Sequence, residues 1–208
     1  IIGEDKTSSM ASNTHLPSDE SEAAEYTSHF SGVTVLVCQH KQLQSLPTPK
    51  TGFLDMLQVI DLSQCAQITR LQSAFGQKGT VTTLNVSGTK LSAIPLTFME
   101  SLVSVDVSGC RRITNVGDTT RLKVLNITAS SVVDVQASTC GTLEQLIALN
   151  SKITNVSGAP GLKVVIWSGP LGAQLHLEGC EQIMTIITTG GVDTIHTSGT
   201  PYITSLHL

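Results

Sequence analysis

The sequence predicts a solenoid built mostly of short parallel β-strands, with few helical turns and a disordered N-terminal arm. Three observations predict it. One apolar motif returns nine times, and its starts lie 19 to 24 residues apart. The composition is also unusual, with 13% charged and 3% aromatic residues in 208. An ordinary soluble domain carries about 25% charged residues. A narrow coil filled by Leu, Ile and Val accounts for such a composition, because repeats at this period stack to bury a continuous core.

The arm comes first. Residues 1–31 hold Glu4, Asp5, Asp19, Glu20, Glu22 and Glu25 against the single base Lys6, amid Ser and Thr. With few large apolar side chains, this segment cannot bury enough surface to offset its ordering entropy. The net charge of -4 is therefore an effect of the arm, and the body is nearly neutral. The solenoid is expected over residues 32–208, as eight to nine coils.

The repeated motif is an apolar residue, two variable residues, an apolar, one variable and an apolar. It runs Val33-Leu36-Cys38, Leu57-Ile60-Leu62, Val81-Leu84-Val86, Leu102-Val105-Val107 and Leu122-Leu125-Ile127. It continues as Leu143-Leu146-Ala148, Leu162-Val165-Trp167, Ile183-Ile186-Thr188 and Ile203-Leu206-Leu208. Its last two apolar positions alternate with period two, which reads as a short strand with one buried face. A second apolar pair turns the chain back over the core. These pairs are Leu43/Leu46, Ile68/Leu71, Leu91/Ile94, Ile113/Val116, Val133/Val135, Ile153/Val156, Leu175/Leu177 and Val192/Ile195. Corners fall at Ser87-Gly88-Thr89 and Ser108-Gly109-Cys110. The return side is short, so extended or 3₁₀ segments are expected, with single helical turns near residues 73–75 and 96–100. Leu175 to Cys180 looks strand-like on the return side. The chain starts on Ile1 and stops within an apolar alternation, so both ends read as cuts in a longer protein.

Leu57-Gln-Val-Ile-Asp-Leu-Ser-Gln-Cys65 and Leu102-Val-Ser-Val-Asp-Val-Ser-Gly-Cys110 carry a family likeness. The pattern over residues 33–208 resembles the leucine-rich-repeat family, and is similar to its cysteine-containing variety. That variety occurs in ubiquitin-ligase substrate receptors and in long repeat proteins of protozoan parasites. The resemblance implies a right-handed solenoid of the α/β horseshoe class. It also implies that Cys65 and Cys110 are small buried groups at a corner.

The variable strand residues face outward on the concave side. Their middle column reads Val37, Asp61, Asn85, Asp106, Asn126, Ile147, Ile166, Ile187 and His207. The face is polar through Asp61, Asn85, Asp106 and Asn126, then apolar from Ile147. Contiguous exposed apolar surface marks an interaction site. Ile147, Val164, Ile166 and Ile187 are therefore the candidate protein-binding patch. With the Asp/Asn ladder they make up the expected partner-binding face. The flanking third column, including Ser168, is expected outward as well.

Several classes find no support. The longest apolar run, Leu162 to Trp167, is far shorter than the roughly 20 residues of a membrane-spanning helix. Few aromatics and a net negative charge argue against a nucleic-acid partner. Five scattered cysteines without Cys-x-x-Cys give neither a zinc site nor a disulfide framework. His15, His29, His40, His176, His196 and His207 lack metal-ligand helix spacing. Asp61 and Asp106 stand two coils apart, too far for one small ion. No nucleophile elbow or phosphate loop is present. No catalytic residue, metal site or cofactor is expected. Sequons at Asn85, Asn126 and Asn155, and a basic cluster of Arg111, Arg112, Arg121 and Lys123, read as surface features.

The reading is a non-enzymatic protein-interaction scaffold that binds a protein partner on its concave face. One alternative is the substrate-recognition part of a ubiquitin ligase, which needs an adaptor-binding helical motif. The other is a cell-surface or secreted ligand-binding receptor, which needs a signal peptide and occupied sequons. The register has a direct consequence. Leu125→Ala should cost about 2–5 kcal/mol as an inward residue. Its outward neighbour Asn126→Ala is expected to stay within about 0.5 kcal/mol. Thermal melts of both variants check the assignment.

Overall fold

The structure, a computed structural model, describes residues 13–16, 33–38, 42, 44, 46, 56–63, 65–71, 79–94, 99–117, 119–135, 141–190, 192–199 and 203–207. It is a parallel-strand solenoid. The strands are β1 (Asn13–Leu16), β2 (Val35–Cys38), β3 (Val59–Asp61), β4 (Thr83–Asn85), β5 (Ser104–Asp106) and β6 (Val124–Asn126). They continue as β7 (Gln145–Ala148), β8 (Val164–Trp167), β9 (Ala173–His176), β10 (Thr185–Thr188), β11 (Val192–His196) and β12 (Ser205–His207). Ten of them form one sheet in the order β1-β2-β3-β4-β5-β6-β7-β8-β10-β12, and β9 and β11 pair on the return side. Every pairing is parallel, and each step along the large sheet moves one coil. Among the described residues, helix is confined to residues 141–142.

The sheet reaches into the arm segment, where β1 pairs with β2. The rest of residues 1–31 lies outside the described residues. So do Cys140, Leu43 and most of the two segments expected to form helical turns.

The inward column is Leu36, Ile60, Leu84, Val105, Leu125, Leu146, Val165 and Ile186. Each is at most 1% exposed. The register pairs each with its counterpart in the next coil. The period-two reading therefore placed the strand core correctly through eight coils. In the ninth, Leu206 is 51% exposed on β12, at the last strand of the sheet. Thr188 fills an apolar anchor position and is buried. Its hydroxyl donates to the carbonyl of His207 (3.3 Å), which meets the need of a buried polar group.

Two side-chain assignments, one inward and one outward, need correction. Val133 is 55% exposed, whereas Val132 is fully buried beside Val135. The return-side pair therefore keeps the three-residue spacing of Ile113/Val116 and Ile153/Val156. Ser168 is buried, not outward. Its hydroxyl accepts the Asn150 N–H at 2.7 Å. Space there is set by Trp167, which is fully buried and donates its indole N–H to the Ile153 carbonyl at 2.9 Å. A Cβ on Gly169 would stand 2.5 Å from the Trp167 ring, so only glycine leaves room for it.

Six corners of the solenoid follow one rule. A residue in the left-handed region precedes a small, buried thiol, hydroxyl or methyl group. The pairs are Gly88-Thr89, Gly109-Cys110, Ala129-Ser130, Asn150-Ser151, Gly158-Ala159 and Gly179-Cys180. At the corners the coils remain in register: Gly88 N–H donates to Ser108 O (2.7 Å), Gly109 N–H to Thr128 O (2.8 Å) and Ala129 N–H to Leu149 O (2.7 Å). The buried thiols also reach across a coil. Cys65 Sγ donates to Cys38 O (3.3 Å), Cys110 Sγ to Val86 O (3.0 Å) and Cys180 Sγ to Val156 O (3.4 Å). Burial pushes the Cys110 and Cys180 thiols up, so they stay protonated and unreactive.

Ala129 carries a strain that its glycine counterparts do not. Its φ is +51°, where a Cβ costs roughly 1–2 kcal/mol. The side chain is exposed, so little packing offsets that cost. Ala129→Gly should therefore raise stability by about 0.5–1 kcal/mol after glycine's greater unfolded-state entropy is subtracted. A urea midpoint that rises in the variant checks this.

Candidate interaction surface on the strand face

The outward residues of the sheet form straight columns. Val37, Asp61, Asn85, Asp106, Asn126, Ile147, Ile166, Ile187 and His207 are register partners in sequence. Val35, Val59, Thr83, Ser104, Val124, Gln145, Val164, Thr185 and Ser205 form the column beside them. The structure thus places all eight predicted surface residues on one face. Each is half-buried. Parallel stacking sets neighbours in a column about 4.8 Å apart.

The polar part of the column is occupied with local work. Asp61 Oδ1 accepts the Ser63 N–H (2.9 Å) and Asn85 Oδ1 the Ser87 N–H (3.1 Å). Asp106 Oδ1 accepts the Ser108 N–H (2.8 Å) and Asn126 Oδ1 the Thr128 N–H (3.1 Å). These side chains cap the backbone two residues on, as Asx-turns do. Asn126 Nδ2 also donates to Asp106 Oδ2 at 2.9 Å, which ties two coils together. The near-neutral cost expected for Asn126→Ala is therefore too low. Losing the cap and the inter-coil bond should cost on the order of 1 kcal/mol or more.

Cap chemistry ends where the apolar part begins. Ile147, Ile166 and Ile187 sit side by side on β7, β8 and β10. Val164 lies on the same strand as Ile166, between Gln145 and Thr185 in its own column. The patch is therefore contiguous over three strands.

A charge ladder flanks this patch and was missed in the sequence. Glu144 stands just before β7, between Lys123 of one coil and Lys163 of the next. Its carboxylate binds Lys123 Nζ at 2.8 Å and Lys163 Nζ at 3.0 Å. The Lys123 hydrogen bond, seconded by Lys163, holds the Glu144 carboxyl down to about 2. Lys123 therefore belongs to this ladder more than to the basic cluster with Arg111, Arg112 and Arg121. The signal in the sequence was spacing: 123, 144 and 163 are one coil apart.

On the return side, Asn115 Oδ1 accepts the Gly117 N–H, and Asn155 Oδ1 accepts the Ser157 N–H at 2.8 Å. Asn155 bridges to His176, and His176 pairs in register with His196. His176 Nδ1 lies 3.2 Å from Glu178 Oε1, and Ser157 Oγ donates to Glu178 Oε2 at 2.7 Å. The Ser157 hydrogen bond is the main cause that lowers the Glu178 carboxyl to about 2. The histidines had shown no ligand spacing along the chain, yet a one-coil offset brings two of them together with a carboxylate.

No protein-family model and no curated protein matches this chain. Among solved structures, the fold is similar to that of TLR13 in a crystal structure of a TLR13–ssRNA13 complex. The TM-score is 0.65 at 16% sequence identity, and the likeness covers 92% of this chain and 30% of that one. This chain thus spans about a third of the neighbour's length. TLR13 is a leucine-rich-repeat protein, and at this identity the likeness establishes the fold: a leucine-rich-repeat solenoid. No helix among the described residues is long and apolar enough to cross a membrane.

The Glu144 ladder sets a pH dependence. The folded pKa lies below the unfolded one, so its contribution is complete above about 4.5 and is lost as the pH falls towards about 2. Glu144→Gln should make the acid branch of the stability profile shallower than in the parent chain across that window. Chemical denaturation at stepped pH measures the difference.

Proposed function

We propose that this chain is a non-catalytic scaffold that binds a protein partner on the outward strand face, with Ile147, Val164, Ile166 and Ile187 at the centre of the contact. One observation carries the reading. Four successive coils place Asp or Asn in the middle column, and the next three place isoleucine. Burying such a patch against a partner removes apolar area from water, and a flanking charged ladder supplies a polar rim. Asp61, Asn85, Asp106 and Asn126 extend the same face as its polar continuation. The scaffold belongs, in this proposal, to the cysteine-containing variety of the repeat. The thiol-to-carbonyl contacts of Cys65, Cys110 and Cys180 support that reading.

The chemistry of the face favours a protein over a nucleic acid. Its two outward columns hold Asp61 and Asp106 and, among the described residues, no Lys or Arg. A phosphate backbone needs paired cations, and single-stranded bases need aromatic platforms. The RNA named with TLR13 is thus a poor guide to the ligand here.

The test compares the folded parent chain with Ile166→Glu and with Lys152→Glu, an exposed change on the return side. Partner capture and hydrophobic-dye binding are measured after circular dichroism has confirmed the fold. Ile166→Glu should lose partner binding at least about tenfold, since an unpaired charge must be buried. Lys152→Glu should keep it. Unchanged binding in folded Ile166→Glu defeats the proposal.

A further inference from the structure

We propose that His176, Glu178 and His196 form a binding site for a divalent transition-metal ion of the zinc kind, on the return side of the solenoid. The site is built from two adjacent coils. β9 ends on His176, β11 ends on His196, and Glu178 follows two residues after β9. One ligand atom from each side chain lies within 4.8 Å of the others.

The backbone beneath these three residues is held by the coil-to-coil ladder. His176 N–H donates to Thr154 O (2.7 Å), Val156 N–H to His176 O (2.9 Å) and Leu177 N–H to His196 O (2.9 Å). Gly158 N–H donates to Glu178 O at 2.9 Å. A donor set on such fixed elements needs only side-chain rotation to close on an ion. His176 Nδ1 and Glu178 Oε1, 3.2 Å apart, already stand at the ligand–ligand separation of a tetrahedral site with bonds of about 2.0–2.1 Å. Ser157 holds the second carboxylate oxygen, as an outer-shell partner does for a metal-bound carboxylate.

His196 gives the independent observation. Its Nε2 is shielded from solvent and has no hydrogen-bond partner among the described residues. A buried polar atom left in that state is costly, and a metal bond would satisfy it. The two imidazoles are stacked, with centroids 4.3 Å apart and planes within 3°. Parallel rings point their in-plane lone pairs side by side, not at one point. Convergence therefore requires rotation about the Cβ–Cγ bonds, a broad torsion in histidine. Two imidazole nitrogens and one carboxylate oxygen suit zinc, copper(II) or nickel(II), whereas calcium and magnesium prefer oxygen donors. Three protein ligands leave a fourth position for water.

The ion would add a side-chain link between two adjacent coils. Its binding is independent of the strand-face proposal. The test titrates zinc into chelator-treated full chain by calorimetry, with thermal melts in parallel. One ion should bind per chain and raise the melting midpoint, while magnesium does neither. His196→Ala and His176→Ala should each weaken zinc at least tenfold, Glu178→Gln should weaken it less, and exposed His207→Ala should leave it unchanged. Nuclear magnetic resonance of the parent chain should show two histidine rings shifting together on zinc addition. Absence of saturable binding overturns the proposal. So does binding that survives folded His176→Ala and His196→Ala alike, because it would then lie on other donors.

Discussion

In a stack of parallel coils, the backbone N–H and C=O groups of the strand side point along the stack, to the coils before and after. Each coil must then repeat its neighbour's path closely enough to keep those donors and acceptors opposite one another. The rest of the architecture follows from that requirement. The ladder continues past the strand ends into the corners, as between Gly88 and Ser108 or Ala129 and Leu149. Coil length is free to vary only on the return side, where the spacing of 24 residues in the first coils shortens to about 20 later. Because contacts run between neighbours, stability accumulates coil by coil.

The corners show how one geometric demand is met by several chemistries. The turn needs a left-handed residue followed by a small buried group. Glycine supplies the first at Gly88, Gly109, Gly158 and Gly179, whereas Ala129 and Asn150 adopt the same backbone at greater cost. Thr89, Cys110, Ser130, Ser151, Ala159 and Cys180 supply the second. A thiol, a hydroxyl and a methyl-bearing hydroxyl are near-equivalent there, since each is compact and tolerates a carbonyl neighbour. Cys65, Cys110 and Cys180 are thus packing groups with a weak donor.

The strand side was legible in the sequence because its signal is local. Residues such as Leu84 and Val86 alternate within three positions, and the same alternation recurs in each coil. The outward columns followed automatically, including the switch from Asn126 to Ile147. The return side was less legible. At Val132-Val133 two adjacent valines satisfy an apolar pattern equally well, and only the three-dimensional turn decides which faces in. Ser168 was misplaced because the bulk of Trp167 reshapes its corner. The Lys123–Glu144–Lys163 ladder and the His176–Glu178–His196 cluster were invisible for another reason. Each joins residues about one coil apart, and the contact exists only once the coil length is known to a single residue. The role of Asn126 as a cap was hidden because polar and outward had been equated with idle.

Trp167 is the chain's only tryptophan, and it lies wholly inside one coil against Gly169. Its emission therefore reports on the surroundings of β8 alone. Far-ultraviolet dichroism, by contrast, averages over every strand. In a nearest-neighbour stack these two signals need not move together, since a distant coil can fray while the indole stays dry. The offset between the two curves would measure how far cooperativity extends along the molecule, and the chain carries that gauge without any label.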